Sequence, residues 1–265
     1  MRVACVQMCS GIDRDENLAT VESLLTQART QGAELVVLPE TFSFMGGSEA
    51  EKRVMAESPS ESIVLSFLSE QAAKHEIVIV GGSVLLKSES NHIRNACPVF
   101  DAKGSLMAVY DKMHLFDMEY EGEVYHESDL IKAGNLPVSI PVGAFKAGLS
   151  ICYDLRFPEL FRHYVEDGCD LLCNVAAFTA VTGRVHWQVL LQARAIENQS
   201  YVLASGQAGT HPDGRHTWGH SMVIDPWGRV LCELAEGEGV IVADLSKKYL
   251  EQVRKSLPAL QHRRL

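Results

Sequence analysis

Apolar and polar positions along this chain change period repeatedly. Residues 3–8 carry the short apolar alternation of a strand. Over residues 17–31 the period lengthens to the helical one, with Leu18, Val21, Leu24, Leu25 and Ala28 on a single face, and Gly32 stops the run. Residues 34–38 form a brief continuous apolar run, the pattern of a strand covered on both faces. The same reading predicts a helix over 63–75, a strand over 77–86, and a hairpin of strands 94–100 and 106–110 turning at Asp101-Ala102-Lys103-Gly104. Further on come a strand over 147–151, a helix over 158–166 with Pro158 in its first turn, a strand over 170–175, a helix over 184–198 and a strand over 201–206. A hairpin over 221–234 turns at Asp225-Pro226-Trp227-Gly228. A strand over 239–243 and a helix over 247–255 close the pattern.

Strands and helices alternate early and hairpins enter later, which predicts an α/β protein with mixed sheets covered by helices. The strands are too many for one open sheet, so two stacked sheets are expected. With 265 residues, 46% of them hydrophobic, the chain can bury a large core, and no Pro/Gly/Ser-rich linker divides it. One domain over 1–265 is therefore expected. A formal net charge of -10 repels phosphate backbones and argues against nucleic acid as a partner. The opening MRVACVQM has no signal-peptide pattern, and no apolar stretch is long enough to span a bilayer. Seven cysteines in an odd set without scaffold spacing read as reduced thiols, and a cytoplasmic protein is expected.

Three reactive side chains share one local context. Glu40 follows ELVVLP, Lys112 follows LMAVYD and Cys152 follows GLSI, each at or just past the carboxyl end of an apolar strand. Ligands of α/β sheets bind beyond that end, so parallel neighbouring strands would bring the three into one pocket. A carboxylate can take the proton of a thiol and later return it to a leaving amine. An ammonium can hold the oxyanion that forms when sulfur attacks a carbonyl, and the Tyr153 N–H is a second donor for that oxyanion. Singly, each residue has a plainer explanation: a cysteine is most often core, and Glu40 and Lys112 could be solvated strand ends. Together they are equipped for acyl transfer through a thioester.

Other clusters explain less. Cys5/Cys9 and Cys169/Cys173 have i, i+4 spacing within predicted strands, which packing accounts for, and no metal-ligand spacing is found. His211, His216 and His220 read as loop and pocket-rim residues. The apolar stripe of Trp187, Leu190, Leu191 and Ile196 reads as core, with a dimer contact as the alternative. A redox role would need a resolving cysteine near Cys152, and there is no CxxC.

VVLPETF, YDKMHLFD and ICYDLRFPELFR, in this order, resemble the three motif blocks of the nitrilase, or carbon–nitrogen hydrolase, superfamily. RAIENQSYVLASGQAG and GHSMVIDPWG resemble its later blocks. The resemblance implies a four-layer α-β-β-α sandwich with two mixed β-sheets, assembled as a homodimer or higher oligomer. It implies Glu40 as general base, Lys112 as oxyanion stabiliser and Cys152 as nucleophile, with neither metal nor organic cofactor. EVYHESD resembles the segment carrying a second glutamate, which places that role on Glu127, with Glu119, Glu121 and Glu123 as competitors. Cys152-Tyr153-Asp154-Leu155-Arg156 replaces the Cys-Trp-Glu of true nitrilases and is similar to the small amidases that act on deaminated glutathione or omega-amides. Arg156, Phe178 and Thr179 are then expected to bind a substrate carboxylate, which suits an arginine fork; a salt bridge from Arg156 to Asp154 or Glu159 is the structural alternative. The expected activity is hydrolysis of the terminal amide of a small carboxylate-bearing molecule to a carboxylate and ammonia. A nitrile-hydrolysing enzyme and a silent scaffold of the same fold are the rivals.

Overall fold

In the computed structural model, which describes residues 1–120 and 122–264, the alternation resolves into two β-sheets back to back. The first part of the chain supplies β1 (Arg2–Gln7), α1 (Arg14–Thr30), β2 (Leu35–Val37), α2 (Glu49–Met55), α3 (Ile63–His75), β3 (Val78–Val80), β4 (Val84–Lys87), β5 (Ile93–Phe100) and β6 (Leu106–Asp111). The middle supplies the hairpin β7 (Asp117–Tyr120) and β8 (Glu123–His126), then β9 (Ser139–Val142), β10 (Phe145–Ile151), α4 (Pro158–Glu166), β11 (Leu171–Ala176), α5 (Ala180–Asn198) and β12 (Tyr201–Gly206). The remainder holds β13 (Ala208–Thr210), β14 (His216–Trp218), β15 (Ser221–Ile224), β16 (Val230–Leu234), β17 (Gly239–Asp244) and α6 (Lys247–Ser256).

Among the described residues seven strands make the first sheet: β17, β1, β2, then β3 and β4, then β5 and β6. Six make the second, in the order β16-β15-β12-β11-β10-β9. Both are mixed, with parallel centres β1-β2-β3 and β10-β11-β12 and antiparallel edges. Period-two alternation sorts the side chains. Along β1, Val3 and Cys5 face the second sheet, while Ala4 and Val6 face Val21, Leu25 and Ala28 of α1 and Leu68 and Ala72 of α3. Phe161 and Tyr164 of α4 and Trp187 and Leu191 of α5 cover the outer face of the second sheet. The layers are therefore helix, sheet, sheet, helix, the four-layer α/β sandwich.

Several boundaries differ from the sequence reading, each for a local reason. Helix α1 begins at Arg14 rather than 17, because the Asp13 side chain accepts the N–H groups of Asp15 and Glu16 and caps it. Helix α5 begins at Ala180, capped by Thr179. The single strand expected over 77–86 is two pieces, β3 and β4, along the same edge of β5. They break at Gly81-Gly82, where Gly82 has φ 55° and a Cβ would lie 2.1 Å from the Pro39 carbonyl oxygen. Cys9 and Cys169 lie outside the strands that hold Cys5 and Cys173, so neither pair shares a strand face. Helix α2, which buries no side chain, and the short strands β7, β8, β9, β13 and β14 were not anticipated.

Candidate active site

Glu40 sits in the turn after β2, where the Pro39 carbonyl rests against Gly82 and the Thr41 N–H donates to Ser83 Oγ at 2.9 Å. The residue is only 4% exposed. Oε1 accepts from Lys112 Nζ and from Asn95 Nδ2, both at 2.9 Å, and Oε2 accepts the Ala177 N–H at 2.8 Å. A buried carboxylate with three donors is held in one orientation.

Lys112 follows β6 and is 2% exposed. Its backbone N–H donates to Asn95 O, and its carbonyl accepts the Gly134 N–H. The ammonium is shared between Glu40 Oε1 and Glu127, whose Oε1 and Oε2 lie 2.9 and 2.8 Å away. Burial alone would lower the lysine pKa, but the adjacent Glu127 and Glu40 charges outweigh it and hold it well above its ordinary value. Glu127 Oε2 also accepts the Phe116 N–H at 2.7 Å. Of the competing carboxylates, Glu119 is exposed on β7, Glu123 lies by the Tyr125 hydroxyl, and Glu121 lies outside the described residues.

Cys152 begins a 3-10 turn, Cys152–Arg156, at the end of β10. Its φ of 46° is one that L-residues avoid, at a cost of about 1–3 kcal/mol. Asp154, fully buried, holds the turn. Its Oδ2 accepts the Ile151 N–H and the Tyr110 hydroxyl, and its Oδ1 accepts the His114 N–H and pairs with His114 Nδ1 at 2.7 Å. Asp154 thus ties the exit of β10 to the segment just after Lys112. Tyr153 is the second residue of the 3-10 turn, where an N–H has no partner within the turn. Burial, and next the Glu40 charge, push the Cys152 thiol well above its usual pKa; Lys112 and the Ala177 N–H oppose them. The resting sulfur is a thiol that needs a base at the moment of attack.

The three side chains come together, and they do so across two sheets rather than from parallel neighbours within one. Glu40 and Lys112 come from the first sheet and Cys152 from the second, and all three line a cavity of about 220 Å³ with Glu127 and Asn95. A second, narrower cavity at Cys152 is lined by Tyr153, Arg156, Phe178 and Thr179. Arg156 stacks over the rings of Tyr153 and Phe178, 5.6 and 5.1 Å from their centroids, and lies 3.2 Å from His186 Nδ1. Among the described residues it has no ion pair, neither with Asp154 nor with Glu159, and burial lowers its pKa. Thr179 Oγ1 meets Thr182 Oγ1 and caps α5. The histidines have structural partners: His211 with Ser10 O and Thr217, His216 with Thr210, His220 with Glu233. No group of three or more potential metal ligands occurs among the described residues. Asn95, Asp154 and the Ala177 N–H were missed from sequence; a lone asparagine inside the apolar run of β5 was the available signal for the first.

The Carbon-nitrogen hydrolase family model matches residues 2–255. Curated relatives include the deaminated glutathione amidase of Synechocystis, 43% identical over 98% of this chain and 97% of its own, and the omega-amidase of Danio rerio, 37% identical over 99% and 94%. Among solved structures, a Saccharomyces cerevisiae member of branch 10 of the nitrilase superfamily superposes with a TM-score of 0.91 at 33% identity, over 100% of this chain and 97% of that one. A Xanthomonas campestris CN-hydrolase superfamily protein with an arsenic adduct in its active site gives 0.89 at 30%, over 100% and 97%. With its sandwich fold and its cysteine, lysine and glutamates in one cavity, the chain belongs to the carbon–nitrogen hydrolase family of the nitrilase superfamily, whose members hydrolyse carbon–nitrogen bonds other than peptide bonds.

Proposed function

We propose that the protein is a cysteine-dependent amidohydrolase, built as one catalytic domain, acting on a small carboxylate-bearing amide of the deaminated glutathione class. The observation that carries this reading is the buried Lys112 ammonium bridging Glu40 and Glu127 in the cavity that Cys152 lines. Cys152 Sγ attacks the amide carbon while its proton passes to Glu40. Lys112 Nζ and the Tyr153 N–H hold the oxyanion of the tetrahedral intermediate. Its collapse breaks the C–N bond, and the nitrogen leaves with the proton from Glu40. Water, deprotonated by the same glutamate, then attacks the thioester; the acid departs and the sulfur regains a proton. Glu127 fixes the lysine and balances its charge throughout.

Arg156, on the faces of Tyr153 and Phe178, takes the carboxylate of the acyl part, with Phe178 and Thr179 shaping that end of the site. The relatives named for deaminated glutathione favour this substrate class over a nitrile. We further propose a cytoplasmic protein, supported by seven free cysteines, and a homo-oligomer, supported by exposed Val185, Val189 and Ile196 on α5 near exposed Trp227. No helix among the described residues is long and apolar enough to cross a membrane. Cys152→Ala tests the mechanism: it should lower amide hydrolysis at least about a thousandfold with the melting temperature maintained, whereas near-wild-type turnover would refute it.

A further inference from the structure

The lysine and the nucleophile turn follow strands of different sheets, β6 and β10. His114 stands two residues after Lys112, and Asp154 two residues after Cys152. His114 meets the nucleophile turn in three ways. Its N–H donates to Asp154 Oδ1 at 3.0 Å, and its Nδ1 lies 2.7 Å from the same oxygen. Its ring stacks on Phe157, with centroids 3.7 Å apart and planes 9° from parallel. Phe157 ends the 3-10 turn and sets its ring edge-on to Tyr153. A carboxylate oxygen only accepts, so His114 Nδ1 carries a proton. On the other oxygen, Oδ2, Asp154 takes the Ile151 N–H at 2.8 Å and the Tyr110 hydroxyl at 2.7 Å. Burial, then the Asp154 charge, hold the Tyr110 hydroxyl above its ordinary pKa, so it stays a donor. Four donors from segments of both sheets thus converge on one fully buried carboxylate. The Ile151 bond belongs to the turn itself; the bonds from His114 and Tyr110 tie that turn to the lysine segment. The His114 side chain is 27% exposed, so it adds less to the core than to this tie.

We infer that His114, acting through Asp154, is a positioning residue that keeps the two oxyanion donors, Lys112 Nζ and the Tyr153 N–H, in register across the two sheets. This rests on the amidase reading above, in which one donor comes from each segment. Developing charge on the carbonyl oxygen is held only while both donors point at one place, and a displacement of about 1 Å can cost about a hundredfold in rate. The base is placed independently: Glu40 is fixed by Lys112, Asn95 and the Ala177 N–H, and by no contact with His114. Loosening the His114 tie therefore weakens the oxyanion site and leaves proton transfer from Cys152 to Glu40 in place.

The test compares two reactions of the same sulfur in wild type, His114→Leu and His114→Asn. One is hydrolysis of a carboxylate-bearing amide, which passes through an oxyanion. The other is alkylation by iodoacetamide, in which the S–C bond forms as iodide leaves and no oxyanion develops; peptide mapping reads it at Cys152. His114→Leu should lower kcat about a hundredfold with KM within about twofold, while the alkylation rate of Cys152 stays within about threefold of wild type. His114→Asn keeps an N–H close to the place of Nδ1–H and should recover kcat to within about tenfold of wild type. Should His114→Leu not fold, His114→Asn carries the same test: kcat lowered, alkylation kept. If kcat and alkylation fall together, the tie places the sulfur or the fold as a whole, and the inference is overturned. An unchanged kcat in the folded variants overturns it too, with the amidase reading intact. If the wild type hydrolyses no carboxylate-bearing amide, both fall.

Discussion

Asn95 shows how a residue far from the motif blocks can set their geometry. Its Nδ2 lies 2.9 Å from Glu40 Oε1 and 3.3 Å from Glu127 Oε1, so one amide aims both carboxylates. Its Oδ1 is buried without a partner among the described residues, a cost the fold tolerates to keep the donor in place. Asn95→Leu, similar in shape, should lower kcat roughly ten- to a hundredfold, the loss of hydrogen bonds to charged groups, while relieving the orphaned oxygen. Thermal melting should move little, and steady-state kinetics with unchanged kcat would remove Asn95 from the site. Glu40, Lys112 and Cys152 were legible because each ends an apolar run with a reactive group. Asn95 was not, because a single polar residue in a strand looks like a pairing position until its three-dimensional neighbours are known.

Among elements, the turn that carries Glu40 depends on the glycine pair that separates β3 from β4. Gly82→Ala would place a methyl 2.1 Å from the Pro39 carbonyl oxygen and force an L-residue to φ 55°. It should cost about 1–3 kcal/mol from the backbone alone, in urea denaturation, and lower kcat/KM at least about tenfold as Glu40 shifts. Full activity with lowered stability would show that the turn moves without the carboxylate. The long amphipathic and continuously apolar elements were read from period because they pack on a core. Helix α2, the β7–β8 hairpin and the β13–β14 pair were not, since short exposed elements carry no alternation, although the Ser48–Glu51 capping box marked the start of α2. Those same segments contribute Lys52, Tyr125 and Arg215 to the lining of the cavity that holds Cys152, so that part of the lining was hidden while the reactive residues were not.

For the whole molecule, the sequence predicted two stacked sheets but left open which of them each reactive residue's strand joins. Which sheet a strand joins depends on pairings between distant segments, and local period does not encode them. Packing two sheets face to face also buries groups that titrate near neutrality. His211 is buried between Ser10 O and Thr217, and burial lowers its pKa from 6.5. The unfolded chain binds this proton more readily, so the stability from the neutral ring is present above 6.5 and lost as pH falls through the lower folded value. Thermal melts at about pH 7.5 and about pH 5 should show the wild type losing more than His211→Gln over that interval. Equal losses would assign the acid sensitivity to other groups.

The central claim is that Cys152 forms a thioester under the control of Glu40 and Lys112. Its most direct measurement is the mass of the enzyme quenched in acid during turnover of a carboxylate-bearing amide, followed by peptide mapping. The account predicts an added acyl mass on the peptide containing Cys152, absent from Cys152→Ala. The same adduct on another cysteine, or turnover by Cys152→Ala at the wild-type rate, would contradict it.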